Sequence, residues 1–448
     1  MSKKIGFEHL EHLGSMDKSR LMHFWIRQSV RQPIFITGGK GCYLEDITGE
    51  KYLDFISGEY NVALGHQNGE ILASMCEQIT KMVSYSLQFA YVPQALLGQR
   101  LLEKLPQYGK VSFQCNGTDA VELAAMIVRQ VSERKCIISQ WLSYHGSSRE
   151  AFCIGGWAGD RHRFDVASHV HVPPCYCYRC FCSKLSYPEC SLECAHFLEN
   201  TVKWAGANQI AAVIIEPMLG SVVNDPPIEY LKFIEELCQR HNILFVLDEI
   251  MTGLGRTGKM FCLEHSNILP DMLLLGKSLT SGYAPLSAAV LSKEIAAFYE
   301  NVPLEYGLTY GGNPLSCATA LATLKCLENH KIVENAEKLG IYLKKRLQEM
   351  QIGHPCVGEV RGRGLLLAIE LVKDRKTRSP FTTGTGDTRN IGARSLRRMA
   401  REKRLIVGKG SYDNVLLCPP LTITKKECDV ALDTLGEILS EVDNQVKN

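Results

Sequence analysis

The chain has 448 residues, more than a single hydrophobic core usually supports, so we expect two or three domains. Hydrophobic residues make up 45% of the chain and charged residues 22%, as in an ordinary globular protein, and no apolar stretch approaches the roughly 20 residues that span a bilayer. Fifty basic and 48 acidic side chains leave a formal charge of +2, which gives no reason to expect nucleic acid or an acidic membrane surface as a partner.

The opening residues and the cysteines together predict a cytoplasmic protein. The first residues are basic and polar and lack the apolar segment of a secretory signal. Most of the 18 cysteines are scattered singly through apolar segments, as buried free thiols are, and a chain of this length does not need a disulfide framework.

The N-terminal part is predicted to contain a β-hairpin and a loop. Two short runs with period-two character within residues 41–57 flank a turn at 46–49, a pattern typical of a hairpin. Residues 58–66 have glycines near both ends and polar groups between them, so they form a loop that can line a site. Helical periodicity follows over residues 69–82.

From about residue 96 to 291 strands and helices alternate. Apolar runs predict strands at 111–114, 136–139, 210–215, 243–247 and 272–275, and helices are predicted at 120–131 and 228–239. Continuous apolar strands separated by helices favour an α/β fold with a mostly parallel sheet that is covered on both faces.

The remainder is predicted to be a smaller α+β domain. It contains predicted helices at 315–327 and 332–351, short strands around 364–371, an apolar segment at 415–418 and a final helix at 425–442. We therefore expect a large α/β domain over residues 66–312, and a small domain that combines residues 1–65 with residues 313–448.

Chemically distinct groups follow the ends of five predicted strands. These are Gly117 with Thr118, then Tyr144, Glu216, Asp248 and Lys277. Open α/β sheets bind ligands at the carboxyl ends of their strands, so this pattern favours an enzyme with a site at that edge.

Lys277 is the group around which the predicted site is organised. It follows a buried strand and Gly276, where desolvation would lower the pKa of its amine and make it a better nucleophile; the alternative is a lysine that reaches solvent. Gly117 and Thr118 open a helix, which suits a phosphate group, although they also suit an ordinary helix cap. Asp248 needs a cationic partner, either a protonated pyridine nitrogen or a structural arginine.

Together, a phosphate site, a stacking face at Tyr144, a buried carboxylate and an amine match the requirements of pyridoxal phosphate. The lysine would form a Schiff base, and the carboxylate would keep the pyridine nitrogen charged, so that the ring can accept electrons.

At this point the sequence resembles the class III pyridoxal-phosphate-dependent aminotransferases of fold type I over nearly its whole length. The resemblance is carried by DEIMTGLGRTG from residue 248, by the lysine 29 positions after Asp248, and by GYAPL at 282–286. YHG from Tyr144, EP at Glu216 and TYGGNPLSCA from Thr309 also match. The resemblance implies a large, mostly parallel-sheet domain with a smaller α+β domain, and a homodimer with shared active sites.

The resemblance also implies roles for individual residues. Lys277 is the catalytic residue that forms the Schiff base and then moves protons. Asp248 pairs with the pyridine nitrogen, and Ile250 packs beneath the ring opposite Tyr144. The other residues implied to bind the cofactor are Gly117 and Thr118 at the phosphate, Thr309 from the other subunit, and Glu216 and His145 beside the ring. Arg256 is interpreted as structural.

Substrate recognition departs from the pattern of glutamate-using members. Those members carry a fixed arginine shortly before a Pro-Pro-Leu run, and Leu416 stands at that position here. The chain is more similar to amine:pyruvate and taurine:pyruvate members, which use a mobile arginine upstream; here the nearest cation is Lys409, which lacks a planar fork. Tyr60 is a candidate pocket wall. Pyruvate is therefore favoured over 2-oxoglutarate as acceptor.

A second departure is a run of six cysteines between residues 175 and 194. Close cysteine spacing can form a structural zinc site, but these spacings do not match a paired-knuckle pattern. A surface loop of free thiols is the alternative, and we assign no metal ligands from the sequence.

The sequence thus predicts a transaminase that moves an amino group from an amine or amino-acid donor to a keto acid in a ping-pong cycle. An aminomutase or amino-acid racemase on the same scaffold stays open as an alternative. A non-catalytic binding protein is a more distant one, because it would be expected to lose one of the residues of the Lys277, Asp248 and phosphate set.

Overall fold

The structure is a computed structural model that describes residues 7–26, 28–30, 33–84, 86, 88–157, 168–382 and 391–447. Its strands are β1 (Ile36–Lys40), β2 (Tyr43–Asp46), β3 (Lys51–Asp54), β4 (Tyr108–Gln114), β5 (Cys136–Gln140), β6 (His169–Val172), β7 (Ile210–Ile215), β8 (Leu244–Asp248), β9 (Met272–Leu275), β10 (Ser287–Ser292), β11 (Val357–Arg363), β12 (Leu366–Leu371), β13 (Leu405–Ile406), β14 (Gly408–Lys409) and β15 (Asn414–Leu417).

Its helices include two long ones near the C-terminal part of the chain and several that cover the central sheet. They are α1 (Phe7–Arg20), α2 (Ser57–Tyr60), α3 (Gly69–Lys81), α4 (Val92–Lys104), α5 (Gly117–Ser132), α6 (Arg149–Ile154), α7 (Glu193–Ala205), α8 (Ile228–His241), α9 (Lys293–Phe298), α10 (Pro314–Asn329), α11 (Ile332–Gly353), α12 (Gly392–Glu402) and α13 (Lys425–Lys447).

Within the described residues, seven strands form the central sheet in the order β4-β10-β9-β8-β7-β5-β6. From β9 to β6 neighbouring strands are parallel, whereas β10 is antiparallel to both β4 and β9. All strands of this sheet except β10 therefore point the same way, which confirms the predicted α/β fold with a mostly parallel sheet.

The sheet is covered on both faces because its strands alternate between two hydrophobic clusters. In β8, Val246 packs with the Ala-rich helix α5, whereas Phe245 and Leu247 pack in the larger cluster that includes Tyr230 and Ile234 of α8. This alternation explains the continuous apolar runs, since both faces of each strand are buried.

The five predicted strands are all present, as β4, β5, β7, β8 and β9. Two strands of the sheet, β6 and β10, were not predicted. β6 has the sequence HVHV, whose histidines weaken the apolar signal, and β10 is SAAVLS, in which small residues hide a fully buried strand.

The N-terminal hairpin is confirmed, and its sheet is completed from the other end of the chain. β2 and β3 pair in antiparallel fashion, and the carboxylate of Asp46 holds the turn by accepting hydrogen bonds from the N–H groups of Thr48 and Glu50 at 2.9 and 3.0 Å. β13 pairs in parallel with β3 in the order β1-β2-β3-β13, so residues 405–406 lie beside the N-terminal segment. The domain boundaries at 65/66 and 312/313 stay a prediction.

A third sheet, β11-β12-β15-β14, forms in the C-terminal part, and α11 packs against β11. Among the described helices, none is both long and apolar enough to cross a membrane.

Candidate active site

The groups that follow the strand ends meet in one cavity of about 540 Å³. It opens at the carboxyl ends of β4, β5, β7, β8 and β9, where the sequence predicted a site. The predicted site residues among those that line it are Gly117, Thr118, Tyr144, His145, Glu216, Asp248, Ile250 and Lys277. Asn61, Met251 and the segment 282–286 also line the cavity, and Asn61 lies in the loop that was predicted to border a site.

The N-terminus of α5 forms one end of the cavity. Asn116 caps this helix, and its side-chain oxygen accepts a hydrogen bond from the N–H of Asp119 at 3.1 Å. The N–H groups of the first helical turn have no partner within a helix and carry its positive dipole, so Gly117 and Thr118 suit an anionic group. A Cβ atom at Gly117 would lie 2.9 Å from Cδ1 of Ile250, which explains the glycine at this position.

Asp248, His145 and Glu216 form a buried array at the floor of the cavity. The Nδ1 of His145 lies 2.7 Å from Oδ2 of Asp248, and both side chains are almost fully buried. Burial disfavours the charged imidazole, but the hydrogen bond to Asp248 and the charges of Asp248 and Glu216 outweigh it and raise the pKa of His145.

Burial raises the pKa of Glu216, and the charge of Asp248 adds to this effect. Its carboxylate accepts hydrogen bonds from the N–H of Tyr144 at 3.0 Å and from the N–H of Gly220 at 2.8 Å. Glu216 therefore fixes the backbone from which Tyr144 and His145 project.

Tyr144 and Ile250 provide an aromatic and an aliphatic surface of the cavity. The Tyr144 side chain is 40% exposed, and Trp25 meets its ring edge-on with 5.9 Å between centroids. Ile250 packs against the positions of Gly117 and Gly276, and its N–H donates a hydrogen bond to Oδ1 of Asp248 at 3.0 Å. A flat ring suits the space that these two side chains border.

Lys277 begins a short 3₁₀ turn, Lys277–Thr280, directly after β9 and Gly276. Its φ of +41° lies in the left-handed region, which residues other than glycine seldom adopt. Such strain persists where the surrounding structure imposes it, and it is concentrated at functional sites. The Lys277 side chain is half-buried and lines the cavity together with Asp248.

The remaining predicted site residues lie outside the lining of this cavity. Thr309 lies in an exposed turn. Tyr60 is half-buried in a cluster with Leu416 and with Met251, which does line the cavity. Leu416 is 1% exposed, and the Lys409 side chain is exposed while its carbonyl accepts a hydrogen bond from the Tyr60 hydroxyl at 3.4 Å. Their roles in binding stay predictions.

Arg397 of α12 was not among the predicted residues, although its charge acts on both Tyr60 and Lys409. Its Nε donates a hydrogen bond to the carbonyl of Ala393 at 3.3 Å, and no carboxylate in the described ranges forms an ion pair with it. Burial lowers the pKa of Arg397, and the charge of Arg394 adds to this effect. No local pattern in α12 indicates that this helix packs near residue 60.

Arg256 is structural, as interpreted from the sequence. It is fully buried, and its guanidinium donates hydrogen bonds to the carbonyls of Leu365 and Pro419 at 3.1 and 2.6 Å and to the Ser57 hydroxyl at 3.3 Å. It therefore joins the segment after β8 to the N-terminal and C-terminal parts of the chain.

The cysteine-rich loop, residues 175–194, contains free thiols, and hydrogen bonds of Tyr176 connect it to the C-terminal sheet. Tyr176 donates a hydrogen bond to Glu370, and Arg361 donates one to the Tyr176 hydroxyl at 2.7 Å. In the part of the chain that the structure describes, no three of the loop's sulfur atoms lie within 4.8 Å of one another.

Comparison with known proteins gives a consistent result. The family Aminotransferase class-III matches residues 25–439. The chain is 30% identical to a taurine–pyruvate aminotransferase of Bilophila wadsworthia over 97% of this chain and 98% of the relative. It is 32% identical to a leucine/methionine racemase of Thermococcus litoralis, over 92% and 91% of the two chains. It also resembles the structure of a taurine:2-oxoglutarate aminotransferase from Bifidobacterium kashiwanohense in complex with PLP and glutamate, with a TM-score of 0.91, 29% identity and coverage of 97% and 98%.

Proposed function

Because the chain belongs to the class III aminotransferases and is a pyridoxal-phosphate-dependent transaminase, we propose that it transfers an amino group from an amine or amino-acid donor to a keto acid, with pyruvate favoured over 2-oxoglutarate. The observation that carries this proposal is that the helix N-terminus at Gly117, the carboxylate of Asp248 and the amine of Lys277 line the same cavity. In a ping-pong cycle the donor leaves as a carbonyl product before the keto acid binds.

The residues of the cavity fit the cofactor. Gly117 and Thr118 would hold the phosphate at the N-terminus of α5, and Asp248 would face the ring nitrogen. Tyr144 and Ile250 would lie against the ring. When bound, pyridoxal phosphate supplies an electron sink for the bond that breaks at the donor carbon.

His145 orients Asp248 for this role. The imidazole holds the carboxylate by a hydrogen bond of 2.7 Å, and a carboxylate that faces the ring nitrogen would favour the protonated ring. Glu216 has a second effect, because its charge favours protonation of His145 and its hydrogen bonds hold the backbone of Tyr144.

Lys277 is proposed as the catalytic residue. Its amine would anchor the cofactor and would then take a proton from the Cα of the donor and return one to the acceptor. The half-buried position of Lys277 limits access of water to this amine.

The acceptor would be recognised at the side of the cavity where Tyr60 and Met251 pack together. The positive charge of Arg397 acts on both Tyr60 and Lys409, and a cation in this position suits the single carboxylate of pyruvate or the sulfonate or carboxylate of a donor. The second carboxylate of 2-oxoglutarate would need a fixed cation, and the residue at the corresponding position, Leu416, is buried among apolar side chains.

The acceptor is the point on which the relatives differ. One is named for pyruvate and the other for 2-oxoglutarate. A panel of amines against both keto acids tests the proposal directly: turnover with pyruvate should exceed turnover with 2-oxoglutarate, and the reverse order would contradict it.

Racemisation is a second candidate, because a racemase is among the relatives with which the chain shares about a third of its residues. Incubation with one amine enantiomer and no keto acid separates the two activities. A transaminase stops after about one turnover per site, whereas continued formation of the opposite enantiomer would favour the racemase.

We also propose that the protein is a cytoplasmic homodimer in which Thr309 contributes to the phosphate site of the partner. The exposed turn that carries Thr309 and Tyr310 lies next to residue 83, since the Asn313 side chain donates a hydrogen bond to the Val83 carbonyl at 2.8 Å. Apolar side chains exposed in this region include Val83, Phe89, Val92 and Tyr310, which a second copy would cover.

A further inference from the structure

Glu70, Cys326 and His330 bring three different metal-ligating groups together outside the active-site cavity. One carboxylate oxygen, one thiol sulfur and one imidazole nitrogen lie within 4.8 Å of one another. Glu70 and His330 are exposed, and Cys326 is buried beneath them.

The backbone fixes this arrangement. Cys326 lies in the last turn of α10 and His330 is its C-terminal cap, whose N–H donates a hydrogen bond to the Cys326 carbonyl at 3.1 Å. Residues four apart in a helix share one face, so the thiol and the imidazole point to the same side.

The third group comes from the neighbouring helix α3. Glu70 lies in its first turn, where the side chain of Asn68 accepts a hydrogen bond from the Glu70 N–H at 3.1 Å. The Ser74 hydroxyl donates a hydrogen bond to the Ala318 carbonyl at 3.2 Å, which fastens α3 to α10. The three side chains are thus brought together by helix packing as well as by their own contacts.

The chemistry of the three groups suits one kind of ion. A thiolate, an imidazole and a carboxylate are the ligands that zinc uses, and three protein ligands leave a fourth tetrahedral position for water. The Oε1 of Glu70 lies 2.5 Å from Nε2 of His330, so the carboxylate and the imidazole already face each other.

We propose that Glu70, Cys326 and His330 form a zinc site that links the start of α3 to the end of α10. Binding forms a zinc–sulfur bond and breaks the S–H bond of Cys326, whose proton passes to solvent; no atom changes oxidation state. None of the three residues lines the active-site cavity, so the site is independent of the transaminase reaction. Its ion would hold α3 and α10 together.

A pair elsewhere in the chain provides a matched control. His196 and Glu199 of α7 are also an imidazole and a carboxylate in contact, at 3.3 Å, and His196 is exposed as His330 is. Among the described residues this pair has no third ligand within the same range.

The test uses the full-length protein, stripped with a chelator and titrated with Co²⁺ and then with Zn²⁺. Cobalt bound to one thiolate should produce a sulfur-to-metal absorption band in the near ultraviolet, which zinc should displace. The substitutions His330→Ala and Cys326→Ser should each lower metal affinity at least about tenfold and abolish the rise in thermal midpoint that zinc causes. His196→Ala should leave both unchanged.

Two results would overturn the proposal. One is a wild-type protein that shows no thiolate band. The other is a thiolate band that persists in His330→Ala. Because His330 is exposed, this variant should fold, and its result is decisive even if Cys326→Ser fails to fold. A thiolate band that persists in His330→Ala but disappears in Cys177→Ser would place the ion in the cysteine-rich loop instead.

Discussion

The imidazole of His145 donates a hydrogen bond to the carboxylate of Asp248 over 2.7 Å, and both side chains are almost fully buried. A protonated ring nitrogen of the cofactor would be a second partner for this buried carboxylate. The pair thus connects the end of β8 to the residue that follows Tyr144.

Replacement of His145 by glutamine should alter how stability depends on pH. The pKa of His145 is raised in the folded protein above its unfolded value of about 6.5, so its contribution to the free energy of unfolding is complete below that pH and is lost as pH rises through the folded pKa. Denaturant unfolding of the cofactor-free protein measures this effect. The free energies of unfolding of wild type and His145→Gln should differ more at about pH 5.5, below the unperturbed histidine pKa of about 6.5, than at about pH 8.5.

The exposed His196 provides the comparison. His196→Gln should change the free energy of unfolding by no more than about 0.5 kcal/mol at either pH. An unchanged difference for His145→Gln across the pH range would show that His145 does not carry a raised pKa.

Replacement of Gly117 by alanine should weaken binding of pyridoxal phosphate. The added Cβ would lie 2.9 Å from Cδ1 and 3.1 Å from Cγ2 of Ile250. Either the Ile250 side chain, which would lie against the cofactor ring, or the first turn of α5 therefore has to shift. Loss of one charge-assisted hydrogen bond to the phosphate corresponds to roughly 1.5–3 kcal/mol, and the dissociation constant should rise about tenfold or more.

Gly98 of α4 is the matched control, because nothing lies within 4 Å of a Cβ built there. Gly98→Ala should leave cofactor affinity unchanged and should stabilise the helix by about 0.5–1 kcal/mol. Titration of the cofactor-free proteins, followed by fluorescence, measures both constants; equal affinities of Gly117→Ala and wild type would exclude a phosphate site at this helix.

Replacement of Arg397 by leucine should impair recognition of the acceptor. If its guanidinium attracts the carboxylate of pyruvate, the KM for pyruvate should rise roughly 10- to 100-fold with a smaller effect on kcat, as expected for a charged hydrogen bond of about 1.5–3 kcal/mol.

The adjacent Arg398 is exposed and pairs with Glu402 at 2.6 Å, so Arg398→Leu tests the loss of one positive charge from the same helix. Steady-state kinetics with varied pyruvate should give a wild-type KM for this variant. If the two variants behave alike, Arg397 has no specific role at the site.

The strand-end residues could be predicted because their positions follow from local signals. Buried parallel strands appear as apolar runs, and their carboxyl ends meet at one edge. These two facts predict that Gly117, Tyr144, Glu216, Asp248 and Lys277 lie together. The fold class follows from the same alternation of strands and helices.

Other parts of the site depend on contacts between distant segments. Arg397 acts on Tyr60 across more than 300 residues of sequence, and no local pattern in either segment indicates this. The same holds for Leu416, whose place in an apolar cluster with Tyr60 and Met251 depends on how the C-terminal sheet packs against α2. β10 was missed for a local reason, since its alanines and serines carry little hydrophobic signal.

The most direct test of the central claim is to locate the lysine that binds the cofactor. The purified protein, supplied with pyridoxal phosphate, should absorb near the edge of the visible range, and borohydride should remove this band. Mass spectrometry of the digested, reduced protein should then find the phosphopyridoxyl group on Lys277, and Lys277→Ala should lack both the band and the modified peptide. Modification of a different lysine, or an unchanged band in Lys277→Ala, would contradict the assignment of Lys277 as the catalytic residue.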